Sequence, residues 1–157
     1  LIETSRAIET VTQIAAFKDV VGLFFGAADA SASLGCKLAW EPLLYARHRV
    51  VLAASMFNLF TIDAPYFYID KMAGLKEEAE AVKNLGFTGK AAIHPDQIDY
   101  INEAFSPSAE EKAEAKKVLE EYQKSGGGAI KVDGQMIDEP IAEAMRLKIT
   151  LGEEEKK

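Results

Sequence analysis

Two spacings of apolar positions alternate along the first two thirds of the chain. Residues 5–17 place Ile8, Val11 and Ile14 at helical spacing, and a continuous apolar run follows within residues 19–25. Helical spacing returns in residues 41–54 and 74–85, and short apolar runs at 59–64 and 90–93 have the length of buried strands. Helices of about 10 to 15 residues between such runs are typical of a parallel sheet covered on both faces. The pattern predicts an α/β fold.

The last third of the chain has a different pattern. A charged helix is predicted to begin near Ser108 and to end near Lys124, and a glycine run at 126–128 follows it. Asp133 and Gly134 stand between two short apolar segments, which favours a hairpin with a type I′ turn. A last amphipathic helix is predicted at 139–149, with a frayed end after it.

The number of strands sets the expected architecture. Four parallel strands, the first of them at Ile2 and Glu3, are half the number in a (β/α)8 TIM barrel, which takes about 250 residues. We therefore expect the second half of a TIM barrel at residues 1–124, a lid of hairpin and helix at 125–152, and a disordered tail at 153–157. Half a barrel would leave two open sheet edges, so we expect it to associate or to have little activity alone.

Composition and charge narrow the class of partner. The chain has 157 residues, of which 48% are hydrophobic and 27% charged, as in ordinary globular proteins. A formal charge of −7 argues against nucleic acid and against an anionic membrane surface, because both bind positive surfaces. No apolar stretch is long enough to span a bilayer. The single cysteine, Cys36, cannot form an internal disulfide, so a reducing, cytoplasmic location is expected.

Polar residues follow the predicted strands where chemistry is expected. The carboxyl ends of barrel strands meet at one rim, and the candidates there are Glu3, Asp29, Asp63 and His94. Glu3 and Asp29, on successive strands, could together hold one Mg²⁺ or Mn²⁺ ion through hard oxygen ligands. The alternative is that Asp29 caps the next turn and Glu3 is an exposed terminal acid.

Other candidates also have two interpretations. The backbone amides of Gly26, Ala27 and Ala28 either grip a substrate carboxylate or form a tight turn without a ligand. Asp63 either orients a water molecule or another side chain, or caps a turn before Pro65. His94 either binds substrate or shapes the loop after its strand. Arg47 and Arg49 are expected to be solvated or paired with nearby acids, and the alternative is contact with phosphates.

Eight short motifs occur in the order seen in citrate lyase beta subunit-like proteins. In chain order they are Ile2-Glu3-Thr4, Phe25 to Asp29 with Leu34-Gly35, Ala46 to Arg49 with Ala53-Ala54, Ile62-Asp63, Leu85-Gly86-Phe87 with Gly89-Lys90, Ile93-His94-Pro95 with Gln97, Phe105-Ser106-Pro107, and Asp133-Gly134 with Met136-Ile137-Asp138. The chain thus resembles this group, which includes malyl-CoA and citramalyl-CoA lyases and is close to the HpcH/HpaI aldolases.

The resemblance implies a magnesium-dependent lyase that cleaves a carbon–carbon bond in a 3-hydroxyacyl thioester of CoA or of an acyl carrier protein. It implies Glu3 and Asp29 as metal ligands, and Asp138 as an acid or base brought over a neighbouring subunit's site in a homotrimer or larger oligomer. Asp138 could also cap the final helix. The alternatives are a metal-dependent 2-oxo-acid aldolase and a non-catalytic barrel subunit.

The chain also departs from the family pattern. Many relatives have Glu at the position of Ala28 and Asp at the position of Ser33, so this site is less charged. The arginine with which relatives grip the substrate carboxylate belongs to the first half of the barrel, outside these residues.

Overall fold

The computed structural model describes the backbone of residues 1–154 and the side chains of residues 1–146 and of Ile149. The chain forms two compact units, which divide between Phe105 and Ser106. No helix in the described part of the chain is long and apolar enough to cross a membrane.

The first unit alternates helices with three short strands. Its elements are α1 Ser5–Glu9, α2 Val11–Ala15, β1 Gly22–Phe24, α3 Ala27–Leu34, α4 Trp40–Met56, β2 Phe60–Asp63, α5 Met72–Leu85, β3 Gly89–Lys90, a 3-10 turn Pro95–Gln97, and α6 Ile98–Phe105. The predicted alternation of strands and helices is confirmed. The strands are shorter than the apolar runs suggested.

The sheet is parallel, with β2 between β1 and β3. Leu23 pairs with Thr61 and Asp63 pairs with Lys90. The first predicted strand is reduced to one parallel bridge between Ile2 and Phe25, beside β1. Three strands and a bridge therefore stand where four strands were expected.

The two faces of this sheet differ sharply in their surroundings. Leu23 and Phe25 are 2% and 0% exposed, and they pack among apolar residues of α1, α2 and α4. Because side chains alternate along a strand, Phe24 and Ile62 point to the opposite, more open face. On that face the ring of Phe60 lies over Gly22, where a Cβ would force the ring to shift.

Three local features differ from the sequence prediction. The helix expected at 5–17 is split at Thr10, whose hydroxyl donates to the carbonyl of Arg6 at 2.9 Å, a bond that competes with regular helix geometry. Helix α3 begins at Ala27, where a turn was predicted. Helix α6 was not predicted, although Ile101 and Ala104 give it a buried side.

The second unit contains α7 Ala109–Lys124, β4 Ile130–Val132, β5 Gln135–Ile137 and α8 Glu139–Glu154. Ser108 and Glu111 form a capping box at the start of α7. The predicted hairpin is confirmed: β4 and β5 are antiparallel, and Asp133 and Gly134 both have positive φ, 49° and 90°, as a type I′ turn requires.

The core of this unit joins α7, the hairpin and α8. It includes Val118, Tyr122, Val132, Ile137 and Ala142. Because α7 packs into this core, it groups with the hairpin, although residues up to 124 were predicted to belong to the barrel half. Of the tail predicted at 153–157, the first two residues belong to α8, and residues 155–157 lie outside the described residues.

Candidate functional site

Glu3 lies against Gly26 because their backbones form adjacent parallel segments. The Ile2 amide donates to the Phe24 carbonyl at 2.7 Å, and the Gly26 amide donates to the Ile2 carbonyl at 2.9 Å. A Cβ placed on Gly26 would lie 2.8 Å from Cβ of Glu3 and 3.1 Å from its Oε2 atom. The absence of a side chain at Gly26 therefore leaves the space that the Glu3 carboxylate occupies.

Asp29 enters the same region through α3. Gly26 is the N-cap of this helix, so Asp29 is its third residue and lies in the first turn, where the helix dipole favours negative charge. Gly26 thus links the two carboxylates: it contacts Glu3 and starts the helix that carries Asp29. Glu3 is half-buried, whereas the alternative interpretation expected an exposed terminal acid. Asp29 is exposed.

These two carboxylates have the chemistry of hard-metal ligands. Within residues 1–146 neither has a hydrogen-bond or ion-pair partner in the structure. No group of three or more His, Cys, Asp or Glu residues suited to a metal occurs among the described residues. Two carboxylates without an internal partner are compatible with an ion such as Mg²⁺, which keeps several water or substrate oxygens.

Two of the three backbone amides that were predicted to bind a substrate carboxylate are available to a ligand. The Gly26 amide is already bonded to Ile2, so it is not available to a ligand. The amides of Ala27 and Ala28 belong to the first turn of α3, where amides have no partner within the helix. They remain donors beside the two carboxylates.

Asp63 is held in a buried ion network. Its side chain is 0% exposed and faces the helices, on the side of the sheet opposite to Phe24 and Ile62. It accepts from Arg47 Nε at 2.8 Å and from Lys90 Nζ at 2.9 Å. Both oxygens are thus engaged by buried cations, which agrees with the interpretation that Asp63 orients another side chain and not with a turn cap before Pro65.

Lys90 is the centre of this network; it belongs to the Gly89-Lys90 motif, but no role was predicted for it. Its ammonium group is fully buried and also donates to the Ala64 carbonyl at 2.7 Å and to Glu78 Oε1 at 2.6 Å. The sequence signal for this network was a lysine within the apolar run 90–93, because a lysine buried in a strand needs a carboxylate partner. The network fixes the backbone where β2 ends.

Arg47 was expected to be solvated or paired with nearby acids, and the structure shows the pairing: it contacts Asp63, and only 4% of it is exposed. Its guanidinium lies between the rings of Trp40, at 4.7 Å, and Phe25, at 5.3 Å. Arg49 donates to the Glu9 carbonyl at 2.6 Å and so joins α4 to the end of α1. Neither arginine is a solvated surface residue.

His94 shapes a loop. Its Nδ1 atom accepts from the Asp96 amide at 3.3 Å, which caps the 3-10 turn that follows. Beside it, Gln97 is 0% exposed and joins two loops: its Oε1 accepts from the Ile93 amide and its Nε2 donates to the Tyr66 carbonyl, each at 2.9 Å. The geometry supports the loop-shaping interpretation of His94.

Asp138 belongs to the second unit, after β5. Its Oδ1 accepts from the Ile141 amide at 3.3 Å, so it caps α8 as one interpretation predicted. It is half-buried. Ser33, which departs from the family pattern, accepts from the Ser5 amide at 2.9 Å and joins α3 to the start of α1.

Sequence comparison defines the class of protein. A family model described as HpcH/HpaI aldolase/citrate lyase matches residues 1–95, more than half of the chain. The chain belongs to this family.

Individual relatives agree with that assignment. The chain is 38% identical over 144 residues to the mitochondrial citramalyl-CoA lyase of Homo sapiens, covering 88% of this chain and 42% of that one. It is 35% identical over 148 residues to a citrate lyase subunit beta-like protein of Mycobacterium tuberculosis, and the match covers 90% of this chain and 54% of that one. The chain therefore spans about half the length of these curated relatives.

A solved structure shows the same fold. The CitE protein of Mycobacterium tuberculosis, in complex with magnesium, acetoacetate and coenzyme A, matches with a TM-score of 0.86 and 32% identity. The match covers 96% of this chain and 58% of that chain.

Proposed function

We propose that this chain forms the C-terminal half of a (β/α)8 barrel in a magnesium-dependent carbon–carbon lyase. The observation that carries the proposal is the pair Glu3 and Asp29, joined through Gly26 at the carboxyl end of a parallel sheet. Active sites of βα barrels lie at that end. The family match and the magnesium and CoA named with the related structure support it.

In this proposal Glu3 and Asp29 hold Mg²⁺, and Mn²⁺ is an alternative ion. When bound, the metal polarises the carbonyl that forms as the carbon–carbon bond breaks. The amides of Ala27 and Ala28 orient the substrate carboxylate beside it. The less charged surroundings, with alanine at position 28, leave the carboxylate pair as the main source of negative charge.

The bond change itself requires one proton to leave and one to arrive. The substrate hydroxyl gives its proton to solvent water, the bond between the hydroxyl-bearing carbon and the carbon next to the thioester breaks, and a 2-oxo acid separates from a thioester enolate. Protonation of that enolate gives the acetyl thioester. We assign the proton donor to Asp138, delivered by the hairpin unit to a neighbouring subunit in a homotrimer or larger oligomer.

Substrate class and location belong to the same proposal. We favour a citryl, citramalyl or malyl thioester of CoA over a free 2-oxo acid, because the relatives are named for citrate and citramalyl-CoA. The hairpin unit is then a lid over the thioester arm. A cytoplasmic location is in keeping with one free cysteine, Cys36, although the human relative is named as mitochondrial.

Metal binding by the 157-residue chain tests the site directly. We expect one Mn²⁺ per chain, measured by water-proton relaxation and displaced by Mg²⁺. Glu3→Gln and Asp29→Asn should each weaken binding at least tenfold, whereas Asp138→Asn should not. Glu41→Gln, which removes another acid from the first turn of a helix, is the matched control.

Unchanged Mn²⁺ affinity in both Glu3→Gln and Asp29→Asn would remove the basis of the proposal and favour a non-catalytic barrel subunit. In a protein that contains both barrel halves, we expect magnesium-dependent release of acetyl-CoA from citramalyl-CoA or malyl-CoA, which Asp138→Asn slows. Turnover of free 2-oxo acids without any turnover of thioesters would favour the aldolase.

A further inference from the structure

A pair of serines joins the two segments that carry the candidate metal ligands. The Ser5 amide donates to Oγ of Ser33 at 2.9 Å, and Oγ of Ser33 donates to Oγ of Ser5 at 3.2 Å. Ser5 is the first residue of α1 and lies two positions after Glu3, whereas Ser33 is the last residue but one of α3. These two hydrogen bonds, the serine contact, therefore join the segment of Glu3 to the helix that carries Asp29.

Helical spacing relates Ser33 to Asp29. The two residues are four positions apart in α3, so they lie on the same side of the helix, one turn from each other. Because Ser33 meets the start of α1, this side of α3 faces the segment that follows Glu3. Asp29 lies one turn nearer to Gly26, whose backbone lies against the Glu3 side chain. The serine contact therefore favours the rotation of α3 about its axis that turns Asp29 toward the segment of Glu3.

The segment of Glu3 is attached on both sides. Before it, the Ile2 carbonyl accepts from the Gly26 amide at 2.9 Å. After it, the Ser5 amide is bonded to Ser33. Gly26 and Ser33 are themselves joined by the hydrogen-bonded backbone of α3. The two carboxylates thus belong to one closed ring of contacts, and a large change in their separation requires that one of these hydrogen bonds break.

Stability alone does not account for the serine contact. The Ser5 amide belongs to the first turn of α1, where amides have no acceptor within the helix. Both serines are exposed, so water could satisfy the same amide almost equally well. Exchange of a water bond for a protein bond at the surface changes the stability of folding little. The effect of the contact is therefore expected in the geometry of the two carboxylates.

We propose that Ser33 is a positioning residue for the metal site, because its hydroxyl holds the segment of Glu3 to α3 and so sets the separation of the Glu3 and Asp29 carboxylates. The proposal rests on the proposed function for the ion and for its two protein ligands. Mg²⁺ demands nearly ideal octahedral geometry, so its affinity is sensitive to the placement of those ligands. Ligands that are already fixed in the metal-free chain bind more tightly, since less conformational freedom is lost on binding.

Mn²⁺ affinity of the 157-residue chain, measured by water-proton relaxation, tests this role. Ser33→Ala removes the hydroxyl and should weaken Mn²⁺ binding about fivefold, less than the tenfold or more that follows loss of a group bonded directly to a metal ligand. Ser33→Thr keeps the hydroxyl and should restore the affinity of the parent chain. Ser55→Ala is the matched control, because Ser55 is also exposed in a helix but donates to the Leu52 carbonyl of its own helix.

Hydrogen exchange of the Ser5 amide gives a second measurement that needs no substitution at Ser33. If the serine contact raises the affinity for the ion about fivefold, the bound ion must stabilise the contact by the same factor. Saturating Mg²⁺ should therefore slow exchange of this amide about fivefold in the parent chain, as measured by NMR. The same Mg²⁺ concentration should have a smaller effect in Glu3→Gln, which binds the ion weakly.

The outcomes separate this inference from the proposed function. Equal Mn²⁺ affinity of Ser33→Ala and Ser55→Ala would overturn the positioning role and leave the metal site standing. So would a failure of Ser33→Thr to restore affinity, or Ser5 exchange that Mg²⁺ does not change in a chain that binds Mn²⁺. A lower thermal midpoint of Ser33→Ala with unchanged affinity would make the contact purely structural. Absence of Mn²⁺ binding in the parent chain would overturn the metal site itself, and the role of Ser33 with it.

Discussion

Replacement of Asp63 by asparagine removes one negative charge from the buried network while it keeps the shape of the side chain. The carboxylate accepts two well-formed bonds from cations, from Arg47 Nε at 2.8 Å and from Lys90 Nζ at 2.9 Å. The third contact, from Arg47 Nη2 at 3.5 Å, is too long to add much. Bonds to charged groups contribute about 1.5–3 kcal/mol each, which gives about 3–6 kcal/mol for two.

The expected loss of folding free energy lies near the middle of the range of about 3–6 kcal/mol. Lys90 keeps Glu78 and the Ala64 carbonyl, so Arg47 is the cation left without its partner. Removal of one member of a buried pair costs about 3–5 kcal/mol. We therefore expect Asp63→Asn to lower the free energy of unfolding of the first unit by about 4 kcal/mol. With an m-value of about 2 kcal/mol/M, the urea midpoint would fall by about 2 M.

Urea unfolding followed by Trp40 fluorescence measures this change, because the only tryptophan lies in the first unit beside Arg47. Glu103→Gln is the control, because it changes a carboxylate to an amide in an exposed ion pair. In that pair the side chain of Lys76 is 50% exposed and that of Glu103 is 70% exposed. Exposed pairs contribute at most about 1 kcal/mol. If Asp63→Asn shifted the midpoint no more than Glu103→Gln does, the network would not have the stabilising role that its burial implies.

Two further predictions concern the second unit. Gly134→Ala should destabilise the hairpin by about 1–2 kcal/mol, seen as faster hydrogen exchange of its amides, because φ is +90° there and nothing within 4 Å of the added Cβ compensates. Asp133→Asn should change the exchange little, since asparagine also tolerates positive φ, and equal effects of the two variants would contradict this reasoning. Hydrogen bonds from Arg146, and then from Tyr122, hold the pKa of Glu139 below its usual value. Its contribution to stability is therefore complete above the ordinary carboxyl pKa and is lost as the pH falls through the lowered folded value. In an NMR titration, Arg146→Met should raise the pKa of Glu139, and an unchanged midpoint would show that the bond has no such effect.

Local rules explain the parts of the fold that the sequence predicted well. The hairpin follows from Asp133 and Gly134, two adjacent residues that accept positive φ. The start of α7 follows from Ser108 with Glu111 three residues later. Helix α3 was overlooked because its small residues carry no apolar periodicity, although alanine favours helix.

The candidate site was predictable only in part, because the direction of a side chain depends on how the strands pair with one another. Glu3 and Gly26 meet through a bridge between segments more than twenty residues apart. Asp63 ends the four-residue strand β2, in which Phe60 and Ile62 share one face and Thr61 and Asp63 share the other, so the pattern alone would assign the polar pair to the more open face. Arg47 lies on the buried side of α4, as the helical spacing indicates, but its partner Asp63 belongs to β2 and cannot be found from the pattern of the helix. A long charged side chain is ordinarily assigned to solvent.

Gln97 couples the loops after β2 and β3, because its one side chain bonds to both. If the segment at Tyr66 opened alone, the amide of Gln97 would lose its acceptor inside the protein, at a cost of about 1–3 kcal/mol. If the segment at Ile93 opened alone, the same side chain would lose its donor. The less costly fluctuation displaces both loops at once, so a change in the motion of one is transmitted to the other even though the two loops follow different strands.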